Sequence, residues 1–153
     1  MEALTLRPFS LLAPLAAVAA LAGCSQPREL YVSDAWVRLP AVAGRPAAAY
    51  FTLHGGATDA TLITVSTDVA IKTEMHETKN EGGAMTMAPL ASVAVPARGK
   101  VAFAPGGRHV MLFDLNPSVK RGGAMTLTFS FASGLRIQQD ATVIAAGDPA
   151  PKF

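Results

Sequence analysis

The feature that most constrains this chain is a series of short runs rich in Val, Ile, Thr, Phe and Tyr, separated by glycine and proline. The run 125–131 alternates strictly between apolar and hydroxyl-bearing or small side chains, which is typical of a half-buried strand. Glycine pairs and a Pro-Gly-Gly triplet lie between runs, where tight reversals are needed. The pattern predicts strands over residues 30–38, 48–54, 60–66, 69–77, 85–90, 100–103, 109–115, 125–131 and 135–144.

So many short strands at close spacing favour an all-β Greek-key β-sandwich of immunoglobulin or cupredoxin type, built from two packed antiparallel sheets. A closed barrel is the alternative. A length of 153 residues, half of them hydrophobic, fits one compact domain. We assign that domain to residues 30–146 and expect residues 147–153 to form a flexible tail.

Charge and cysteine content exclude several classes of protein. Lys and Arg total 13 against 11 Asp and Glu, and the basic residues form no cluster, so we expect no nucleic-acid partner. The only cysteine, Cys24, excludes an internal disulfide and any thiolate-rich zinc or iron–sulfur site. Because no His, Ser and Asp spacing indicates a nucleophile with its base, we do not expect an enzyme.

Residues 1–23 have the order of a secretory signal, with Arg7 ahead of the apolar stretch 9–22. That stretch is shorter than the roughly 20 residues a transmembrane helix needs. The ending Leu-Ala-Gly-Cys-Ser resembles a bacterial lipobox, which implies cleavage before Cys24, a lipid on that cysteine and a tether over residues 24–29. The same resemblance places the domain in the periplasm, anchored to the outer membrane because Ser25 follows the cysteine. An ordinary signal peptide with a free cysteine stays open.

Histidine and methionine gather between residues 75 and 111, and two pairs of them suggest a shared site. His109 and Met111 are two apart on a predicted strand, so both side chains leave the same face. A four-residue hairpin loop over residues 80–83 would place His76 directly opposite Met87. One small ion could then contact all four side chains if the two pairs meet.

Neighbouring residues are assigned more modest roles. Met75 should face away from His76 and fill the core, with reserve ligation as the second possibility. Met85 shares the face of Met87 and is a possible peripheral contact for the metal. We expect the three nearby carboxylates to be solvated: Glu74, Glu77 and Glu81.

Ligand softness selects the metal that such a set would accept. Thioether sulfur binds calcium and magnesium poorly and suits Cu(I), so the residues predict a Cu(I) site. Methionine and histidine also resist the disulfide formation that threatens paired cysteines in an oxidising compartment. A blue-copper electron carrier needs a cysteine thiolate, and Cys24 lies far away along the chain.

The spacing His76, ten residues, Met87, twenty-one residues, His109, one residue, Met111 resembles the signature of the periplasmic copper chaperones called PCu(A)C proteins. The segments Trp-Val-Arg at residues 36–38 and Pro-Gly-Gly at residues 105–107 also look like family landmarks, and the likeness extends over roughly residues 30–145.

This resemblance implies a cupredoxin-like fold, Cu(I) held by the four motif side chains, and delivery to a copper-receiving protein of cytochrome c oxidase assembly. The tail 147–153 lacks the His and Met of the copper-binding extensions that some relatives carry. The alternative is a structural or adhesive β-sandwich lipoprotein without a metal role. Neither the copper donor nor the oligomeric state follows from the sequence.

Overall fold

A computed structural model describes residues 28–153. The predicted signal segment and Cys24 lie outside these residues. Within the described part the chain forms ten strands and no helix, so no helix there could cross a membrane. The strands are β1 Tyr31–Arg38, β2 Ala47–His54, β3 Ala60–Ser66, β4 Ala70–Glu81, β5 Ala84–Pro89, β6 Val93–Val95, β7 Lys100–Phe103, β8 Arg108–Leu115, β9 Ala124–Phe131 and β10 Arg136–Ile144.

The strands pair into one continuous sheet in the order β5-β4-β8-β2-β1-β10-β9-β3-β6, and β7 pairs with β2 beside β8. The prediction of two separate sheets is therefore wrong, although the all-β fold class is confirmed. The sheet bends until β4 approaches β3, where the Thr73 hydroxyl donates a hydrogen bond to the carbonyl of Val65. The bend encloses one core, because every described strand except β5 turns apolar residues inward.

Phenylalanines occupy the centre of this core. Phe51 stacks on Phe103 with ring centroids 4.3 Å apart and meets Phe129 edge-on at 4.7 Å. Both contacts have geometries that aromatic pairs prefer. The three rings join β2, β7 and β9 and so link the two halves of the bent sheet.

Two pairings were not expected from the sequence. β1 pairs with β10 in parallel, so the first and last strands lie side by side in the middle of the sheet. Val93–Val95 forms an additional edge strand against β3, and its three residues are too few to show alternation in the sequence.

Candidate metal site

The two motif histidines meet across adjacent strands. In the antiparallel pairing of β4 with β8, His76 lies opposite His109 and Glu74 lies opposite Met111. The histidine ring centroids are 5.9 Å apart, with their planes inclined by 28°. Three of the four motif side chains therefore share a small area of neighbouring strands.

Alternation along the strands decides which face of the sheet they occupy. Val110, between His109 and Met111, is fully buried in the core and pairs with Met75, which is also buried. His109 and Met111 consequently project from the opposite face, where His76 also lies. Met75 packs in the core, on the wrong face to serve as a reserve ligand.

The hairpin between β4 and β5 places the fourth motif residue. Its turn consists of Gly82 and Gly83 alone, with φ of 61° and 86°, so Glu81 pairs with Ala84. The predicted four-residue loop is wrong because two glycines provide the positive φ values of a two-residue type I′ turn, which fits the twist of a hairpin. The Asn80 side chain supports the turn by accepting a hydrogen bond from the Gly83 amide at 3.1 Å.

The shorter turn moves the register by two positions. His76 pairs with Pro89 and Met87 pairs with Thr78, so His76 and Met87 are diagonal neighbours and not directly opposed. Because side chains alternate with a period of two, an even shift keeps Met87 on the face of His76. Diagonal positions lie about 7–8 Å apart, which a long side chain can span.

Both hairpin methionines are open to solvent. Met87 is 61% exposed, and Met85, two pairs nearer the turn on the same face, is 66% exposed. His109 is only 6% exposed. The candidate site thus has a buried histidine at its base and flexible thioethers at its rim.

Each histidine ring has one nitrogen held by a hydrogen bond. His109 Nδ1 donates to the carbonyl oxygen of Gly107 at 3.1 Å, which leaves the lone pair of a neutral ring on Nε2. His76 Nε2 lies 3.0 Å from Glu74 Oε2, and its Nδ1 is buried without a hydrogen-bond partner among the described residues. A buried nitrogen without a partner is unfavourable unless it binds something, and a metal ion would satisfy it.

Glu74 is also bound on its other side. Lys72 Nζ lies 2.6 Å from Glu74 Oε1, and the hydrogen bonds from Lys72 and then His76 hold the pKa of the Glu74 carboxyl below its usual range. Glu74 is thus a solvent-accessible carboxylate, as expected, and it also forms contacts with Lys72 and His76 that were not predicted. Its position two residues before His76 on a strand, and hence on the same face, was the signal in the sequence.

Glu77 projects from the other face and pairs with Arg108, with Nη2 and Oε1 3.1 Å apart. These two residues are directly opposed on β4 and β8, next to the histidine pair. The ion pair fastens the beginning of β8 to β4 without contributing to the site.

Two aromatic residues continue the site face away from the hairpin. β2 pairs with β8 so that Ala48 lies opposite Met111, and Tyr50 follows on the same face of β2. Trp36 packs on Tyr50 with ring centroids 4.4 Å apart, and burial raises the pKa of the Tyr50 phenol. The site face is thus aromatic and less exposed on this side, and exposed on the side of the hairpin methionines.

The donor set favours a soft cation. No three His, Cys, Asp or Glu side chains within residues 28–153 are grouped to hold a metal ion. The two histidines share their face with methionines, whose thioethers suit Cu(I) and bind hard divalent cations poorly.

Comparison with known proteins relates the chain to a family model and to one protein of similar sequence. A family model described as "Putative lipoprotein LpqE-like" matches residues 30–143. "Putative lipoprotein Lxx21020" of Leifsonia xyli subsp. xyli (strain CTCB07) is 33% identical over 104 residues, which are 67% of this chain and 62% of that protein. The match thus covers less than two thirds of the relative's own length.

Solved structures share the fold. The copper-bound PCuAC domain from PmoF2 has a TM-score of 0.62 at 22% identity, over 78% of this chain and 98% of that domain. The solution structure of apo-DR1885 from Deinococcus radiodurans has a TM-score of 0.59 at 26% identity, over 96% of this chain and 100% of that chain. Its CuI form has a TM-score of 0.56 at 29% identity, over 82% and 85% of the two chains. The resemblance to PCu(A)C proteins is confirmed.

Proposed function

Because the chain belongs to the LpqE-like lipoprotein family, we propose that it is an extracytoplasmic copper carrier that binds one Cu(I) ion through His76, Met87, His109 and Met111. The observation that carries this proposal is the juxtaposition of the two histidine rings, 5.9 Å apart, on the face that also bears both methionines. The likeness to DR1885, whose solution structure has a CuI form, supports the choice of metal.

The arrangement suits transfer better than catalysis. Imidazole and thioether ligands are uncharged, so the site stabilises a monovalent ion without locking it in place. Met87 lies at the rim, 61% exposed, where a competing ligand from another protein can replace it first. His109, at the base, would leave the ion last. This order of ligand exchange is what we expect of a carrier.

We propose that the recipient is a protein of cytochrome c oxidase assembly, as the resemblance to PCu(A)C proteins implies. A receiving site must itself offer soft ligands, because it has to compete with two thioethers. Transfer from the loaded chain to such a protein, followed by the copper content of each after separation, tests this step. Retention of all the copper by this chain would contradict it.

Competition titration with a Cu(I) chelator tests the binding proposal. We expect a stoichiometry of one copper per wild-type chain and a large loss of affinity in the double variant His76→Ala, Met87→Leu. Affinity should also fall from pH 7 to pH 5, because protons compete with the metal for the imidazole nitrogens. An affinity that is equal at both pH values would argue against histidine ligation, and a structural or adhesive lipoprotein would bind no copper at all.

We further propose that Cys24 carries the lipid that anchors the domain to a membrane outside the cytoplasm. The match to a lipoprotein family supports the anchor and gives no particular support to the outer membrane. β1 runs parallel to β8 and antiparallel to β4, so the beginning of β1 and the turn at residues 82–83 lie at the same end of the molecule. A short tether would therefore hold the methionine hairpin toward the membrane.

Mass spectrometry of the mature protein tests the anchor. We expect a first residue at Cys24 with the added mass of a lipid, and release of the protein from membranes when Cys24 is replaced by Ser. A mature chain with an unmodified cysteine would contradict the anchor and leave the copper proposal unaffected.

A further inference from the structure

The two histidines of the site are held by opposite ring nitrogens. His109 donates from Nδ1 to the Gly107 carbonyl, whereas His76 makes its hydrogen bond through Nε2, to Glu74. The nitrogen that remains for a metal is consequently different in the two rings. It is Nε2 in His109 and Nδ1 in His76.

The chemistry of Glu74 fixes the proton on His76. An ionised carboxylate only accepts hydrogen bonds, and Lys72 Nζ, 2.6 Å from Oε1, keeps a positive charge beside it. A neutral His76 in contact with Oε2 must then carry its proton on Nε2 and donate it. Its lone pair is on Nδ1, which is the buried nitrogen without a hydrogen-bond partner among the described residues.

We propose that Glu74 is a positioning residue of the copper site, which orients the His76 ring and holds its proton on Nε2 so that His76 binds Cu(I) through Nδ1. This inference rests on the proposed function. Carboxylates that hold a ligating histidine in this way fix the orientation of the ring and raise its basicity, and their loss typically lowers metal affinity 10–100-fold. Glu74 can do this at little cost because it lies two residues from His76, on the same face of β4.

In a competing interpretation, Glu74 blocks the metal-binding nitrogen of His76 in the apoprotein. In that case Nε2 of His76 is the copper ligand, and the carboxylate must leave when the metal binds. The two interpretations predict opposite effects of removing the carboxylate. If Glu74 positions His76, its removal weakens Cu(I) binding; if Glu74 blocks Nε2, its removal strengthens Cu(I) binding.

Nitrogen-15 NMR of the histidine rings, with and without one equivalent of Cu(I), decides between them. In the wild-type apoprotein we expect a slowly exchanging proton on His76 Nε2 and another on His109 Nδ1. Addition of Cu(I) should shift Nδ1 of His76 and Nε2 of His109. In Glu74→Ala the His76 Nε2 proton should exchange rapidly, and chelator competition should show a loss of Cu(I) affinity of about 10–100-fold.

Two further variants separate the hydrogen bond from charge and from folding. Glu74→Gln keeps an acceptor oxygen, so it should recover part of the affinity lost in Glu74→Ala. Glu77→Gln removes the same charge from the other face of β4. It should leave the His76 signals unchanged and the Cu(I) affinity within about twofold of wild type, because Glu77 does not contact the site. Circular dichroism verifies that every variant is folded.

A copper-induced shift on Nε2 of His76, or an affinity of Glu74→Ala equal to or higher than that of wild type, would overturn the inference while the copper proposal stands. A wild-type protein that binds no Cu(I) would overturn both.

Discussion

At the scale of single residues, the proposed copper site depends on the thioether sulfur of methionine and not on the volume of its side chain. Met111 is half-buried on the site face, with its backbone opposite Glu74 and Ala48. Met75 is fully engaged in the core behind it, opposite Val110. The two methionines belong to adjacent strands and differ mainly in the face they occupy, so they form a matched pair for testing ligation.

Met111→Leu should lower Cu(I) affinity by tenfold or more, because leucine keeps the volume and removes the thioether. Met75→Leu should leave affinity unchanged and alter the free energy of unfolding by less than about 1.5 kcal/mol, as volume-conserving core substitutions usually do. Chelator competition and urea denaturation measure the two quantities. Equal losses of copper affinity in both variants would mean that the site responds to packing and not to sulfur.

At the scale of elements, the β4–β5 hairpin shows what the sequence could and could not predict. Alternation correctly predicted that Met85 and Met87 lie on the face of His76. The predicted register was wrong by two residues, and an even shift leaves every side chain on the same face. The pairing of His76 with His109 could not be predicted, because the β4–β8 pairing joins segments far apart in sequence. The contacts of Glu74 have a different origin, because Lys72 and His76 lie two residues away on the same strand, and alternation places the three side chains on one face without showing which of them form hydrogen bonds.

The turn at Gly82 and Gly83 should form with the sequence Asn-Gly and should be destabilised by the sequence Ala-Ala. Both Gly82 and Gly83 have positive φ, and a Cβ at either position would meet no atom within 4 Å, so the cost of alanine is conformational only. That cost is roughly 1–2 kcal/mol for each residue. We expect Gly82→Ala, Gly83→Ala to lower both the melting temperature and the Cu(I) affinity, because the hairpin positions Met87.

Replacement of the pair by Asn-Gly, through Gly82→Asn alone, should preserve both properties because this dipeptide favours the same turn. Thermal denaturation and chelator competition on the two variants make the comparison. A double-alanine variant that retains wild-type copper affinity would show that Met87 does not depend on the hairpin turn.

At the scale of the whole molecule, the two ends of the domain close the sheet together. β1 and β10 pair in parallel, and the Leu39 amide continues the ladder by donating to the Ile144 carbonyl at 2.9 Å. Just beyond, Asp148 accepts two hydrogen bonds from Arg121, at 2.7 and 3.0 Å, and one from the Ala145 amide. The second residue of the predicted tail is therefore tied by Arg121 to the loop before β9.

This contact should make stability depend on pH. The hydrogen bonds from Arg121 and then the Ala145 amide hold the pKa of the Asp148 carboxyl below its ordinary value of 3.8. A carboxyl whose pKa is lower in the folded state contributes stability above its unfolded pKa and loses that contribution as pH falls through the folded value. Asp148→Asn should thus be less stable than wild type at pH 7, and the difference should shrink as the pH falls below 3.8.

Urea denaturation of both proteins across this range measures the difference. Arg121→Gln should show a similar deficit at pH 7, and the double variant should lose less than the sum of the two single variants because they share one contact. A stability difference between wild type and Asp148→Asn that is the same at every pH would contradict this account.

The proposed copper ligands lie partly on strands supported by the core and partly on an exposed hairpin. A core of phenylalanine, leucine and valine keeps β2, β4 and β8 rigid, and the outer face of these strands presents the histidines at a fixed separation. Among residues 28–153, exposed methionines are found only on the β4–β5 hairpin, at Met85 and Met87. His76, His109 and Met111 thus come from the paired strands β4 and β8, whereas Met87 comes from the exposed β5 strand of the hairpin.

X-ray absorption at the copper edge, on protein loaded with one equivalent of Cu(I), tests the central claim most directly. We predict a coordination shell of two imidazole nitrogens and two thioether sulfurs, with one sulfur lost in Met87→Leu and one in Met111→Leu. A shell of nitrogen and oxygen alone, or one that neither substitution changes, would contradict the proposed site.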